Sequence, residues 1–600
     1  MVRPNAPSRL ETGAPPRFWG THASLGGPWN LSPRPLRRTS APHLCTEARD
    51  VSRRLRYLFS MNRFHCALLL GFYALPVTAA DQPQWGQAWT RNMISHERGL
   101  VADFDPKSGK NIKWTAKLGT ETHSTPIVAN GRVYIGTNNH DPRDPKHQGD
   151  RGVLMCFDET TGKLLWQFVV PKREEDRYHD WPRTGMASPV TVEGDRVYLV
   201  DNRGAVVCLD AKGLADGNDG PFKEEGARMV QKPMADSTNQ TGVANFKSEI
   251  IPPGPLDADI LWLFDLTAGA GIWSHDGAHS SILIHGEHLY LNSGTGVDNT
   301  HRKIRTPDAP SLVVFDKRTG AYLARDDEKM APNIFHCTWS SPSLATVNGQ
   351  PVVFFCGGNG VVYGFEPLPS SSRGNETPSK IAVDETLKRG VDQSLVTSTA
   401  TKPAKLKKIF QFDFDPDAPR TEVHRFTTNR REGPSDIFGM PVFSDGRLYV
   451  AGGGDIFWGK NEAWLKCIDA TKTGDVTRTA EIWSYPLEKH VLSTPSIFNG
   501  LVFIADTGRK MHCVEAATGR PLWTHEINGE AWASPYVADG KVYLGTRSGN
   551  FYVWAANREK QVLAELDLKV PISATVTAAN GVIYVATMQN LYAIAPTPTL

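Results

Sequence analysis

Residues 124–135 read STPIVANGRVYI: a Ser-x-Pro phrase, an apolar run, an Asn-Gly pair and a second apolar run. Asn-Gly between two apolar runs predicts a two-residue type I′ turn, because both central residues of that turn need positive φ. The stretch therefore predicts a tight β-hairpin. The phrase recurs along the chain, and its eight copies begin at Ser124, Ala187, Ser280, Ser340, Gly439, Ser493, Ala533 and Ser573.

Each copy has a glycine-containing pair where the turn is expected. The pairs are Asn130-Gly131, Glu193-Gly194, His285-Gly286, Asn348-Gly349, Asp445-Gly446, Asn499-Gly500, Asp539-Gly540 and Asn580-Gly581. A third strand follows, and a Thr-Gly turn then leads into a strand with Trp, as in residues 154–166. Four strands in each of eight repeats predict an all-β fold, an eight-bladed β-propeller of four-stranded blades.

The two ends of the repeat array complement each other. The last copy ends after its third strand at residues 591–594, and residues 112–118 form an isolated fourth strand before the first copy. Pairing them would remove an open sheet edge. We therefore predict a propeller over residues 81–596, closed by an N-terminal strand that joins the last blade. Two insertions, 211–258 and 367–407, fall between third and fourth strands and should hang from the face opposite the site.

The D-x-x-T-G-x-x-x-W phrase at residues 158–166 is the most specific motif. It resembles the tryptophan-docking repeat of alcohol dehydrogenases that depend on pyrroloquinoline quinone (PQQ). It is equally similar to the propeller of the outer-membrane barrel-assembly machinery. The resemblance implies a PQQ-like propeller, but that superfamily includes both quinoproteins and cofactor-free scaffolds, so it leaves the function open.

The N-terminal region differs from the repeats. Residues 1–60 are rich in Pro, Arg, Ser and Gly and lack apolar periodicity, which predicts disorder. Residues 61–80 combine a short basic segment, an apolar run and small residues, as a signal peptide does. We therefore expect translation to start at Met61, with residues 1–60 an over-extended gene start, and a periplasmic or secreted protein. No apolar run is long enough to predict a transmembrane segment.

Charge and cysteines narrow the function classes. The net charge of the chain is +2, and the ten Arg of residues 1–60 contribute more positive charge than this total, so the rest of the chain is mildly acidic. Nucleic-acid binding therefore has no electrostatic support. Cys337 and Cys356 share one blade and could pair after export. Four further cysteines occupy one repeat position and should be small buried hydrophobes: Cys156, Cys208, Cys467 and Cys513.

One face of the predicted ring collects polar and aromatic side chains. It is formed by the loops that enter each innermost strand and by second-to-third-strand loops, which are long at 138–151, 295–310 and 452–462; we call it the mouth. The candidate catalytic carboxylates are Asp276 and Asp298. The candidate cofactor-binding residues are His123, His179, Arg183, His279, Asn299, His336, Trp339, His490 and Trp532. The same loops carry His275, His301, Asp436, Asp455 and Trp458.

Three interpretations of the mouth remain open: a hydrophobic collar, a stacking slot for a flat ligand, and metal ligation by His123 and His279. These two histidines lie two blades apart with no carboxylate at a fixed spacing, so we predict no metal site. A slot for PQQ and calcium would use Trp339 or Trp532 as its floor, Asn299 as a ligand and an Asp as base. The adjacent Cys-Cys pair of many resembled enzymes and a C-x-x-C-H haem motif are both missing from the sequence.

We therefore predict an exported, monomeric binding module whose mouth takes a small molecule, a glycan or a protein. The alternative is a PQQ-dependent oxidoreductase that acts on alcohols or sugars.

Overall fold

The computed structural model describes residues 80–176, 179–232, 249–276, 280–369 and 402–597. Their strands form eight sheets, each with four antiparallel principal strands, which confirms the all-β, eight-bladed propeller. The predicted disordered region, gene start and signal peptide lie outside the described residues, apart from Ala80. Among the described residues, no helix is long and apolar enough to cross a membrane.

The strands of blades 1 to 4 follow the chain. They are Ile127–Ala129, Arg132–Asn138, Arg151–Asp158 and Leu164–Pro171 in blade 1; Thr191–Glu193, Arg196–Val200, Ala205–Asp210 and Ile260–Asp265 in blade 2; Leu283–His285, His288–Asn292, Leu312–Asp316 and Tyr322–Arg325 in blade 3; and Ser343–Val347, Gln350–Gly357, Val361–Phe365 and Lys408–Asp413 in blade 4.

Blades 5 to 8 repeat the pattern. Their strands are Val442–Ser444, Arg447–Gly453, Ala463–Asp469 and Glu481–Pro486 in blade 5; Ser496–Phe498, Leu501–Ala505, Lys510–Glu515 and Pro521–Glu526 in blade 6; Tyr536–Ala538, Lys541–Gly545, Asn550–Ala555 and Val562–Asp567 in blade 7; and Thr577–Ala579, Val582–Ala586, Asn590–Ile594 and Ile112–Lys117 in blade 8. The short strands Ala404–Lys405 and Gly474–Asp475 add a parallel fifth strand to blades 3 and 4. Short helices are Glu225–Arg228 and Leu266–Ala270, with 3-10 turns at Gly213–Ala215, Ala331–Asn333 and Val423–Phe426.

The first hairpin of each blade follows the predicted turns, with two shifts in register. The six Asn-Gly and Asp-Gly pairs have positive φ at both residues, as type I′ turns require. In blades 2 and 3 the strand ends pair as Glu193 with Arg196 and His285 with His288. The turn centres there lie one residue later than predicted, and each begins with a glycine at positive φ, because Glu and His do not favour that conformation.

Tryptophan side chains connect neighbouring blades as the motif predicts. The Trp166 indole donates a hydrogen bond to the Ala211 carbonyl of the next blade, at 2.9 Å. Trp483 makes the equivalent bond to Ala516 and lies against Gly519, where an added Cβ would meet the ring at 2.7 Å. The described residues contain eight hydrophobic clusters, each of which joins two neighbouring blades. The core therefore runs around the ring.

The predicted ring closure is present. Ile112–Lys117 pairs antiparallel with Asn590–Ile594 and completes blade 8. The indole of Trp114 then donates to the Glu159 carbonyl of blade 1 at 2.9 Å, so the closing strand also connects the last blade to the first.

Residues 81–97, the inner segment, lie across the inner strands on the side of their hairpin turns. The segment makes hydrogen bonds with all eight blades, at Val128, Val192, Ser281, Leu344, Phe443, Ile497, Val537 and Gly581. Arg91 is fully buried, and its guanidinium donates to the Pro342, Trp85 and Ser281 carbonyls. The segment therefore connects all eight blades of the ring.

The position of the first insertion, residues 211–258, differs from the prediction that it hangs from the face opposite the mouth. It starts after Asp210 on the hairpin-turn face, but its described part runs along the outer edge toward the mouth. There Arg228 forms an ion pair with Asp201, and Gln231 accepts a hydrogen bond from the Lys172 backbone. Parts of both insertions lie outside the described residues.

The six cysteines among the described residues are buried free thiols. Cys156, Cys208, Cys467 and Cys513 sit in third strands within the clusters between blades, as predicted. Cys337 and Cys356 are also unpaired, so the alternative that they form a disulfide is wrong.

Candidate functional site

Three histidines meet at the mouth near blades 3 and 4. His275 and His336 lie on the loops that enter blades 3 and 4, and His301 lies on the second-to-third-strand loop of blade 3. One ring nitrogen of each lies within 4.8 Å of the other two. The Nε2 atoms of His275 and His336 are 3.1 Å apart. We call these residues the histidine cluster.

Carboxylates surround the histidine cluster. The Asp276 oxygens lie 3.4 Å from His275 Nε2 and 3.7 Å from His336 Nε2. Asp455, fully buried on the second-to-third-strand loop of blade 5, contacts His336 Nδ1 at 2.9 Å. The backbone N–H groups of Phe457 and Trp458 donate to Asp455 and fix its orientation.

Burial and neighbouring charges shift the pKa values of the groups in and around the histidine cluster. Burial disfavours the charged form of His275, and neighbouring His336 and His301 add repulsion, so its pKa lies well below the usual value. Burial acts in the same direction on His336, but the Asp455 and Asp276 charges outweigh it and raise its pKa. Burial and the nearby Asp455 charge hold the pKa of Asp436 well above its ordinary range.

A run of ring contacts leads away from the histidine cluster. Trp339 and Phe457 both pack against His336, with centroids 5.9 Å and 5.6 Å apart. Trp532 lies 6.3 Å from Phe457 and 6.1 Å from His123. These four ring contacts form the aromatic wall, and its members Trp339, Phe457, Trp532 and His123 are half-buried, so their faces reach the mouth.

Of the predicted site residues, the structure brings together Asp276, His336, Trp339, Trp532 and His123. It places Asn299 and His179 in a second polar group around Trp273 and Asp176: the Asn299 amide donates to Asp176 at 2.8 Å, and His179 packs edge-on against Trp273.

The remaining predicted residues lie elsewhere. The Asp298 carboxylate accepts hydrogen bonds within its own loop, from Thr300. Arg183 is exposed on the rim, and His490 is buried, with a pKa lowered to about 4 by burial and then by Arg430. His279 lies outside the described residues, so the structure does not test the interpretation that it binds a metal together with His123.

From the sequence, His275, His301 and Asp455 were placed on the mouth loops without a role as site residues, and Phe457 was not named. His275 and His301 could have been grouped with His336 from the sequence. The loop before blade 3, the second-to-third-strand loop of blade 3 and the loop before blade 4 must be neighbours in a ring. Asp455 could not be grouped with them in this way, since its loop belongs to blade 5.

Comparisons with known proteins agree with this architecture. A family model described as outer membrane protein assembly factor BamB matches residues 150–215 and 461–567. The propeller is therefore similar to those of the PQQ-like family. The propeller is 23% identical over 469 residues to the quinohemoprotein alcohol dehydrogenase ADH IIB of Pseudomonas putida, which covers 75% of this chain and 57% of the relative. It is 24% identical over 283 residues to the dehydrogenase subunit of the quinone alcohol dehydrogenase of Komagataeibacter europaeus, covering 42% of this chain and 33% of the relative.

Solved structures similar to the propeller include BamB from Moraxella catarrhalis, with a TM-score of 0.45, 10% identity, and coverage of 82% of this chain and 98% of that chain. The quinohemoprotein alcohol dehydrogenase of Comamonas testosteroni has a TM-score of 0.37 and 12% identity, and the match covers 87% of this chain and 81% of that one.

The mouth does not fit a calcium–quinone pair. Calcium takes oxygen ligands, whereas the three groups whose donor atoms lie within 4.8 Å of one another here are imidazoles. Asn299, the expected amide ligand, is bonded to Asp176 instead. The Arg547 guanidinium lies over the Trp532 ring, 4.6 Å from its centroid, and occupies that face of the expected floor.

Proposed function

We propose that the propeller is an exported, monomeric binding protein whose aromatic wall takes a small molecule or a glycan. The observation that carries this proposal is the run of half-buried rings Trp339, Phe457, Trp532 and His123, in which the buried His336 ring connects Trp339 to Phe457. Aromatic faces bind flat or apolar ligand surfaces by contact.

The rim supplies the polar groups that fix a ligand's orientation. Glu121 lies 3.8 Å from His123 Nε2, the Arg547 charge acts on both residues, and the Arg183 charge acts on Glu121. Binding sites of small molecules combine an apolar wall with a few polar groups in this way. The Glu121 carboxylate and the Arg547 guanidinium could each bond ligand hydroxyls, which favours a polyhydroxylated ligand over a purely apolar one.

The experiment measures intrinsic tryptophan fluorescence of the purified propeller during titration with a panel of neutral oligosaccharides, and with PQQ plus calcium in a separate arm. We expect at least one oligosaccharide to change the emission saturably, and the Trp339→Ala variant to lose this response. Trp89→Ala is the matched control, because Trp89 is 56% exposed and belongs to the inner segment.

Failure of every oligosaccharide together with saturable PQQ binding would replace this proposal with the quinoprotein alternative. An unchanged response in Trp339→Ala would remove the aromatic wall from the binding site. Light scattering of the same samples tests the monomer.

A further inference from the structure

The histidine cluster and Asp276 bring four donor groups to one point of the mouth. We propose that His275, His301, His336 and Asp276 bind one divalent transition-metal ion of the zinc class. This proposal rests on the histidine cluster and not on the aromatic wall, so it does not depend on the proposed ligand.

The spacing of the donors fits a shared ion. Two nitrogens bound at about 2.0–2.1 Å to a tetrahedral zinc ion lie roughly 3.3 Å apart. The His275 and His336 Nε2 atoms are separated by 3.1 Å, and Asp276 oxygens lie 3.4 and 3.7 Å from them. The His301 nitrogen lies within 4.8 Å of the others, so its half-buried side chain needs to move in by roughly 1–2 Å to complete the set.

The surroundings orient His336 as a metal ligand. Its Nδ1 faces the Asp455 carboxylate at 2.9 Å, which favours the tautomer with the proton on Nδ1 and the lone pair on Nε2. That lone pair then points at His275 Nε2. A carboxylate on the far nitrogen of a histidine is the usual partner behind a metal-bound imidazole, and it raises the basicity of the ligand.

The backbone holds two of the four donors in an uncommon conformation. Asp276 has φ 57° and His301 has φ 56°, in the left-handed region that side chains other than glycine rarely adopt. Such conformations persist where the surrounding structure determines them, and they concentrate at functional sites. Both residues belong to mouth loops, and the strained backbone turns their side chains toward the same point.

The donor set selects the ion. Imidazole nitrogen suits zinc, copper, nickel and iron, whereas calcium and magnesium prefer oxygen. Three imidazoles and one carboxylate would give a four-coordinate zinc site.

The test uses the whole propeller after dialysis against a chelator. Zinc binding is measured by isothermal titration calorimetry, and cobalt substitution is followed by visible absorption, which reports tetrahedral coordination. We expect one zinc ion per chain, a tetrahedral cobalt spectrum, and at least about 100-fold weaker binding in a His275→Ala/His301→Ala double variant, since even partners behind a ligand contribute 10–100-fold.

Two further variants keep the proposal open to refutation if the double variant does not fold. His301→Ala alters only a half-buried loop side chain and should weaken zinc binding, whereas His285→Ala, on the hairpin of blade 3 at the opposite face, should leave it unchanged. Absence of zinc binding in the folded wild-type chain would overturn the proposal, as would equal affinity in His301→Ala and His285→Ala, or binding of calcium in preference to zinc.

Discussion

Replacing Arg91 by Ala should destabilise the whole propeller, because one buried guanidinium connects the inner segment with blades 3 and 4. Its Nε donates to the Pro342 carbonyl at 2.9 Å, Nη1 donates to the Trp85 carbonyl at 3.0 Å, and Nη2 donates to the Ser281 carbonyl at 2.8 Å. Each buried carbonyl left without a donor costs about 1–3 kcal/mol. Truncation of Arg91 to Ala leaves three carbonyls without this donor.

A part of this cost is recovered. Burial lowers the pKa of Arg91 to about 9, because removing the charged guanidinium from water costs free energy. An Ala side chain carries no charge, so the variant does not have this cost. We therefore expect a net loss near the lower limit, about 3–5 kcal/mol. For a chain of roughly 500 ordered residues the unfolding entropy is about 1 kcal/mol per degree, so the thermal midpoint should fall by about 3–5 °C.

Thermal and denaturant unfolding, followed by circular dichroism and tryptophan fluorescence, measures the effect. Arg98→Ala is the matched control, because Arg98 belongs to the same stretch of chain and is exposed. If the two variants unfold at the same midpoint, the guanidinium does not hold the inner segment and the reasoning is refuted.

Two further predictions concern the blades. Gly519→Ala should destabilise more than Gly500→Ala: both glycines have φ near +73°, but an added Cβ meets the Trp483 ring at 2.7 Å in the first and nothing within 4 Å in the second, so equal unfolding midpoints would contradict the tryptophan docking. Burial alone would raise the pKa of Asp257, but hydrogen bonds, of which the largest is that with His147, outweigh the effect of burial and lower this pKa. Its stabilising effect is therefore complete above the unfolded-state pKa of about 4 and disappears as pH falls through the lower folded pKa. The unfolding midpoint of Asp257→Asn should accordingly lie below that of the wild type at pH 7 and approach it in acid, and a constant difference from pH 7 to about 2 would count against this reasoning.

The fold could be predicted because its signals are local and repeated. The pair Asn130-Gly131 specifies its hairpin within two residues, and Trp166 needs only the turn of the next blade. Shifts occurred only where the pair was Glu-Gly or His-Gly, since glycine alone then determines the turn.

The site was less predictable because its members come from different loops. His336 was selected as a polar residue of the loop that enters blade 4, whereas His301 and Asp455 reach it from loops of blades 3 and 5. The inner segment gave no signal either. It contacts the blades through backbone groups and single polar side chains such as Asn92, which leave no periodic pattern in the sequence.

The inner segment also constrains the order of folding. Its residues are made before any blade, yet Glu97 bonds Gly581 and Asp81 bonds Asn580 in the last blade. Contacts of such sequence separation form late, because the entropy of closing the intervening chain must be overcome first. During synthesis the segment must therefore wait until nearly the whole chain has emerged. Until then the ring stays open, and the inner strands lack the hydrogen bonds that the segment supplies.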